Sequence, residues 1–113
     1  MEVVKDYIFV YGLFRDQSKK LLGDCHHCGK TSISGRLWKV NEFYPGFTSG
    51  GGKVWGDVYL FDTGLLEEMD EYEGDEYKRV RVKTASDIEC WVYEYKFDTT
   101  NITEIKSGDW YLR

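Results

Sequence analysis

Apolar and polar positions divide the chain into short runs of recognisable period. Tyr7 to Tyr11 (YIFVY) is continuously apolar between Asp6 and Gly12, the pattern of a strand buried on both faces. Thr31 to Val40 sets Ile33, Gly35 and Leu37 against polar neighbours, as a half-buried strand does. Lys53 to Phe61 predicts another strand, with Gly56 marking a bulge or a close backbone approach. Tyr77 to Thr84 alternates strictly, placing Tyr77, Arg79, Arg81 and Lys83 on one face and Val80 and Val82 on the other. Ile88 to Phe97 does the same with Trp91, Tyr93, Tyr95 and Phe97. Ala85-Ser86-Asp87 between these two runs reads as a hairpin turn.

The stretch that organises the rest is Asp62 to Arg79. Asp62 or Thr63 supplies an oxygen for the first free N–H groups of a helix. Leu65, Leu66, Met69 and Tyr72 follow at helical spacing, predicting one face packed on a core, and Gly74 is placed to end the helix in a left-handed cap. Asp70, Glu71, Glu73, Asp75 and Glu76 crowd that end, beside the negative pole of the helix dipole. A carboxylate there is disfavoured by up to about 1 kcal/mol. Such crowding is either a solvated acidic turn or a means of raising a carboxylate's pKa.

Asp16 to Gly23 (DQSKKLLG) predicts a second short helix, Asp24 to Lys30 a polar loop, and Asn41 to Gly52 a loop built on Tyr44-Pro45-Gly46 and three successive glycines. Near the end of the sequence Trp110, with Tyr111, is placed to anchor the tail. The whole reads as one domain over residues 1–113. It is of the α+β class: a small mixed, mostly antiparallel β-barrel of about five strands with one or two short flanking helices. Nine Tyr, six Phe and four Trp suit such a core, since each aromatic buries much area.

A net charge of −5 with scattered Lys and Arg argues against nucleic acid or an anionic membrane as partner. Residues 1–14 carry Glu2 early and an apolar run of only eight, neither a signal peptide nor a span. Three cysteines, an odd number, do not make a secreted disulfide framework, and a reduced cytoplasmic setting follows. Cys25-His26-His27-Cys28 forms a C-x-x-C, but only Cys90 lies elsewhere and a closed zinc site needs four convergent ligands. No metal or redox role is assigned to it. A buried strand that breaks at Gly12 is a place to build a binding loop, where backbone N–H groups can meet an anion or a carbonyl oxygen.

In order and spacing these segments resemble the γ-glutamylcyclotransferase-like family, which includes γ-glutamylamine cyclotransferases and AIG2-like proteins. The resemblance runs over nearly the whole chain. It is carried by Phe9 to Gly12 with Arg15, Gly35-Arg36-Leu37-Trp38, Tyr44-Pro45-Gly46, Val54-Trp55-Gly56, Val58-Tyr59, Leu66 to Asp70, Glu73-Gly74, Tyr77 and Arg79, Trp91-Val92-Tyr93, and Ser107 to Trp110. It implies a small mixed barrel with a cavity at one end. It also implies a substrate loop after the first strand and an acid/base carboxylate in the acidic turn. Carried over, the carboxylate is Glu73, with Asp70 three residues earlier, and the loop is Tyr11, Gly12, Leu13 and Phe14. Leu13 stands where the family usually has Ser or Thr, and Phe14 where it usually has Leu.

The implied reaction closes a γ-glutamyl amide to 5-oxoproline and frees the amine. The nucleophile is the substrate's own α-amine, so neither a Ser–His pair nor a cofactor is needed. One carboxylate can move the protons if its pKa is raised toward neutrality, and acidic neighbours, the helix end and burial all push Glu73 that way. Arg15, Arg79 and Arg81 are candidate partners of the substrate carboxylate, and Tyr77 is a further candidate contact beside Glu73. The expected partner is thus a small γ-glutamyl molecule. A loop that works through backbone N–H groups survives the change at Leu13. The alternative is a catalytically silent binding module of the same fold, its pocket altered at Leu13 and Phe14.

Overall fold

A computed structural model of the chain describes residues 4–12 and 25–113. The predicted helix over residues 16–23 and the loop residues Leu13, Phe14 and Arg15 lie outside the described residues. Six strands form one mixed sheet: β1 (Lys5–Val10), β2 (His26–Lys39), β3 (Pro45–Asp62), β4 (Tyr77–Lys83), β5 (Glu89–Tyr95) and β6 (Thr103–Glu104). One short helix, α1 (Leu66–Glu73), follows β3 through a single 3-10 turn, Thr63–Leu65.

The sheet order is β4-β5-β1-β3-β2-β6. Most pairings are antiparallel, but β5 runs parallel to β1 at Ile8↔Trp91 and to β3 at Phe47↔Glu94. β3 is long enough to serve two neighbours, because its last six residues pair with β1 while its start lies beside β5. Three strands that meet pairwise cannot lie flat. The sheet curls into a half-barrel, as the aromatic-rich alternation predicts.

β1 is buried on both faces, as its unbroken apolar run requires. Phe9 and Tyr11 face the barrel interior with Ile33, Leu37, Phe47, Val54, Val58, Cys90, Val92 and Trp110. Ile8 and Val10 face the other way, toward Tyr59, Phe61, Met69 and Tyr93 under α1. Gly56 marks a close approach: a Cβ there would lie 2.3 Å from the Val10 carbonyl oxygen. The tail is tied down by Trp110, which is buried, and by backbone bonds from Trp55 to Gly108 and from Ile105 to Leu37. Tyr111 stays exposed, so the anchor is Trp110.

Three expectations are corrected. His26 to Lys30 is strand, because β2 begins at His26 and pairs with the end of β3 across a bulge at Cys28. Pro45 to Gly52 also belongs to a strand, and the turn is confined to residues 41–44. Ser49 to Gly52 swell out of β3 opposite the single residue Gly35, so the glycines form an irregular bulge and not the linker between strands. Finally, Tyr72 is exposed while Met69 is buried. The 3-10 turn consumes Leu65, and the inward face of α1 runs through Leu66, Met69 and Glu73 at i, i+3 and i+7. Glu73 takes the inward place that the apolar pattern assigns to Tyr72.

Candidate active site

Asp62 starts the helical segment, its side chain accepting a hydrogen bond from the Gly64 amide at 2.8 Å. Gly74 ends it with φ of 77° and ψ of −167°, a positive-φ extended conformation open to glycine, and not the left-handed helical cap that the sequence predicts. Between these stops the chain has two helical turns, and the last inward position before Gly74 is Glu73. Burial pushes the Glu73 carboxyl up to about 7 from an ordinary 4.5. Glu71 and Asp75 are exposed, so water screens the acidic neighbours and burial alone carries the shift.

The carboxylate lies near three tyrosines, one just past the end of β1 and one each on β4 and β5. Burial holds the hydroxyls of Tyr11, Tyr77 and Tyr93 in their protonated form, and the Glu73 charge adds a smaller push in the same direction. Each hydroxyl is already placed. Tyr11 donates to the Tyr93 carbonyl at 2.6 Å and accepts the Phe47 amide at 3.1 Å. Tyr77 donates to the Pro45 carbonyl at 2.7 Å, and Tyr93 donates to Asp70 Oδ1 at 2.7 Å. Among the described residues none hydrogen-bonds to the Glu73 carboxylate, which is half-buried, whereas the three tyrosine hydroxyls near it each have a partner.

Gly12 packs directly on Pro45, where a Cβ would stand 2.9 Å from the ring Cδ. The chain therefore leaves β1 pressed against the start of β3, beside Tyr11 and close to Glu73. Because β1 and β5 are parallel, their carboxyl ends open on the same side, and that is where ligand crevices form in sheets with parallel strands.

The two arginines are committed elsewhere. Arg79 holds Asp70 through Nε at 2.9 Å and a second bond from Nη2 at 3.1 Å, and its guanidinium stacks 4.3 Å over Trp91. Arg81 pairs with Asp6 at 2.7 Å on the same indole. The Arg79 guanidinium, with the Tyr93 hydroxyl, holds the Asp70 carboxyl below the usual carboxylate range. Tyr93 is the site residue that the sequence reading left in an undifferentiated aromatic face. Counting outward from the Ala85–Asp87 turn sets it opposite Arg79, the signal that would have found it.

Cys25 packs, partly buried, on the apolar cluster under α1. His27 pairs with Asp57 at 2.9 Å and Cys28 is exposed. Cys90 is buried, its thiol pushed up to about 12 by burial. No group of three metal-ligating side chains forms among the described residues, and no helix among them is long and apolar enough to cross a membrane.

Comparison with known proteins places the sequence and the fold. The family model described as Gamma-glutamyl cyclotransferase, AIG2-like matches residues 8–112. The Escherichia coli K12 gamma-glutamylcyclotransferase family protein YtfP is 32% identical over 112 residues, covering 91% of this chain and 94% of its own. The solution structure of ytfP from Escherichia coli superposes with a TM-score of 0.74 at 34% identity, covering 92% and 95% of the two chains. A Pyrococcus horikoshii protein of known structure gives 0.76 at 28% identity, covering 93% and 89%. A mouse AIG2-like protein shares the fold alone, with a TM-score of 0.74 at 21% identity over 90% and 86% of the chains. From its sequence, its half-barrel and its relatives, the chain belongs to the gamma-glutamyl cyclotransferase, AIG2-like family.

Proposed function

We propose that the protein is a cytoplasmic γ-glutamyl cyclotransferase, in which Glu73 carries protons for closure of a γ-glutamyl amide to 5-oxoproline. The observation that supports this most is a half-buried carboxyl pushed up to about 7 at the open end of the sheet. A group with that pKa can both accept and return a proton near neutrality.

The substrate's α-ammonium gives a proton to the Glu73 carboxylate, and the freed amine attacks the γ-carbonyl carbon. A new C–N bond closes the five-membered ring as the old amide C–N bond breaks. Two protons pass in turn from the α-nitrogen to the departing nitrogen, with Glu73 as carrier. The product nitrogen keeps one hydrogen and the amine leaves as an ammonium. Bending the glutamyl chain supplies much of the rate, since well-oriented intramolecular attack is worth roughly 7–11 kcal/mol. Tyr11, Gly12, Leu13 and Phe14 are the proposed substrate loop, with Arg15 and the Tyr77 ring as further contacts. Arg79 reaches the substrate only by leaving Asp70, so its proposed part is to hold the site together.

The test is 5-oxoproline release from a panel of γ-glutamyl amines and dipeptides, with wild type set against Glu73→Gln. Release from at least one substrate, lost in the variant while binding persists, supports the reading. No release from any substrate by the folded protein moves the assignment to a binding module.

A further inference from the structure

Asp70 stands one helical turn before Glu73, and three bonds converge on it. Arg79 on β4 gives two, through Nε and Nη2, and the Tyr93 hydroxyl on β5 gives the third. A bidentate guanidinium fixes both distance and plane, and the Arg79 fork is itself held over Trp91. Tyr93 works in two directions, because its backbone carbonyl accepts the Tyr11 hydroxyl at the head of the proposed substrate loop. Tyr11 in turn accepts the Phe47 amide of β3. A single connected set of bonds therefore runs from the last turn of α1 through β4 and β5 to Tyr11, just past β1, and to β3.

That set is more than α1 needs for docking. Met69 and Leu66 already pack the helix on the sheet, and an eight-residue helix has only its last turn left to hold. We propose that Asp70, Arg79 and Tyr93 are positioning residues for Glu73, a clamp that keeps the end of α1 closed against β4 and β5 so that water stays off the Glu73 carboxylate. The inference rests on Glu73 as the proton carrier, but the clamp itself can be read without turnover.

Among the described residues the groups around Glu73 are few. Tyr11 just past β1, Tyr77 on β4 and Tyr93 on β5 are neutral, and Asp70 on its own helix is balanced by Arg79. Glu76, after the helix, acts on Tyr77, and Glu94 of β5 acts on Tyr11 while bound to Lys78 and the Ser49 amide. Burial is thus the property that the clamp controls. If the last turn opens, Glu73 gains water and its titration midpoint falls toward that of an ordinary glutamate.

The measurement is the pH titration of the Glu73 side-chain carboxyl by carbon NMR in wild type, Asp70→Asn and Tyr93→Phe. Tyr93→Phe removes one hydroxyl and nothing else, so it keeps the test open if Asp70→Asn does not fold. The expected result is a midpoint lowered by about one unit or more in a folded variant, the size of shift that partial rehydration brings. Asp70→Asn moves it further, because it also leaves the Arg79 charge unbalanced. A Glu73 midpoint unchanged in the folded variants, whatever their melting temperatures, overturns the clamp. Lowered midpoints in the variants, together with no 5-oxoproline release by the wild type, leave the clamp standing and sink the cyclotransferase reading instead.

Discussion

The Tyr77 hydroxyl donates to the Pro45 carbonyl at 2.7 Å, tying the first residue of β4 to the first residue of β3. On the other side of Pro45 lies Gly12, with no room between them for a methyl group. The proline is held between the chain that leaves β1 and the strand that follows the acidic turn. Tyr77→Phe removes the donor and keeps the ring, with its edge contacts to Tyr44 and Tyr95. We expect a loss of about 1 kcal/mol in urea unfolding, the usual net worth of one such bond. A variant as stable as wild type would show that solvent replaces the bond at no cost.

Gly56 makes a sharper prediction. Its missing Cβ leaves space for the Val10 carbonyl at 2.3 Å and the Phe9 ring at 2.7 Å, both in the packed interior. Gly56→Ala must push β1 away from β3 along the pairing that closes the half-barrel. Overpacking of this kind costs about 1–3 kcal/mol, and here backbone has to move, so the upper end is expected. Thermal unfolding checks it, and a melting temperature within a degree of wild type contradicts the close approach.

Periodicity located β1, β4, β5 and α1 because each carries its own signal: an unbroken apolar run, strict alternation, or a cap at each end. It failed where strands are interrupted. β2 and β3 pair across bulges at Cys28 and at Gly35, and the residues that make bulges possible are the ones that mark turns in a sequence. At the site, Glu73 and its raised pKa were legible from the acidic turn and the family resemblance, although burial, not the neighbouring acids, proved to be the cause. The commitment of Arg79 to Asp70 was not legible. It depends on hairpin register and on the packing of a helix over the sheet, and neither leaves a trace in local composition.

Activity should follow the ionisation of Glu73. The proposed first step needs the carboxylate, so kcat/KM should rise with pH and level off above a limb near 7. Tyr11, Tyr77 and Tyr93 stay protonated throughout this range, so among these four described residues Glu73 is the one that titrates. In Glu73→Gln the limb should disappear and the rate fall by about 10²-fold or more, the usual share of general acid–base catalysis. A limb that persists in Glu73→Gln would assign the proton transfer to another group.

The same carboxyl should weaken the fold as pH rises. Folded Glu73 keeps its proton up to about 7, whereas an unfolded glutamate releases it near 4.5. Between these values the folded chain binds more protons than the unfolded one, so stability falls with increasing pH. The loss is complete above the folded pKa and amounts to about 3 kcal/mol at most, at about 1.4 kcal/mol per pH unit. Asp70 works in the opposite sense. Arg79 holds its carboxyl below 3.8, so its contribution is present above that pH and lost as pH falls. Resistance of wild type to urea should therefore be greatest near pH 4.5 and decline toward pH 8. Glu73→Gln, which has no proton to lose, should be flat over this window, close to wild type at the acidic end and more stable at the alkaline end. Such a gain in stability with loss of turnover is expected of a residue kept for its chemistry. Equal slopes for the two proteins would mean that Glu73 titrates as an ordinary exposed glutamate, and the proposed mechanism would lose its proton carrier.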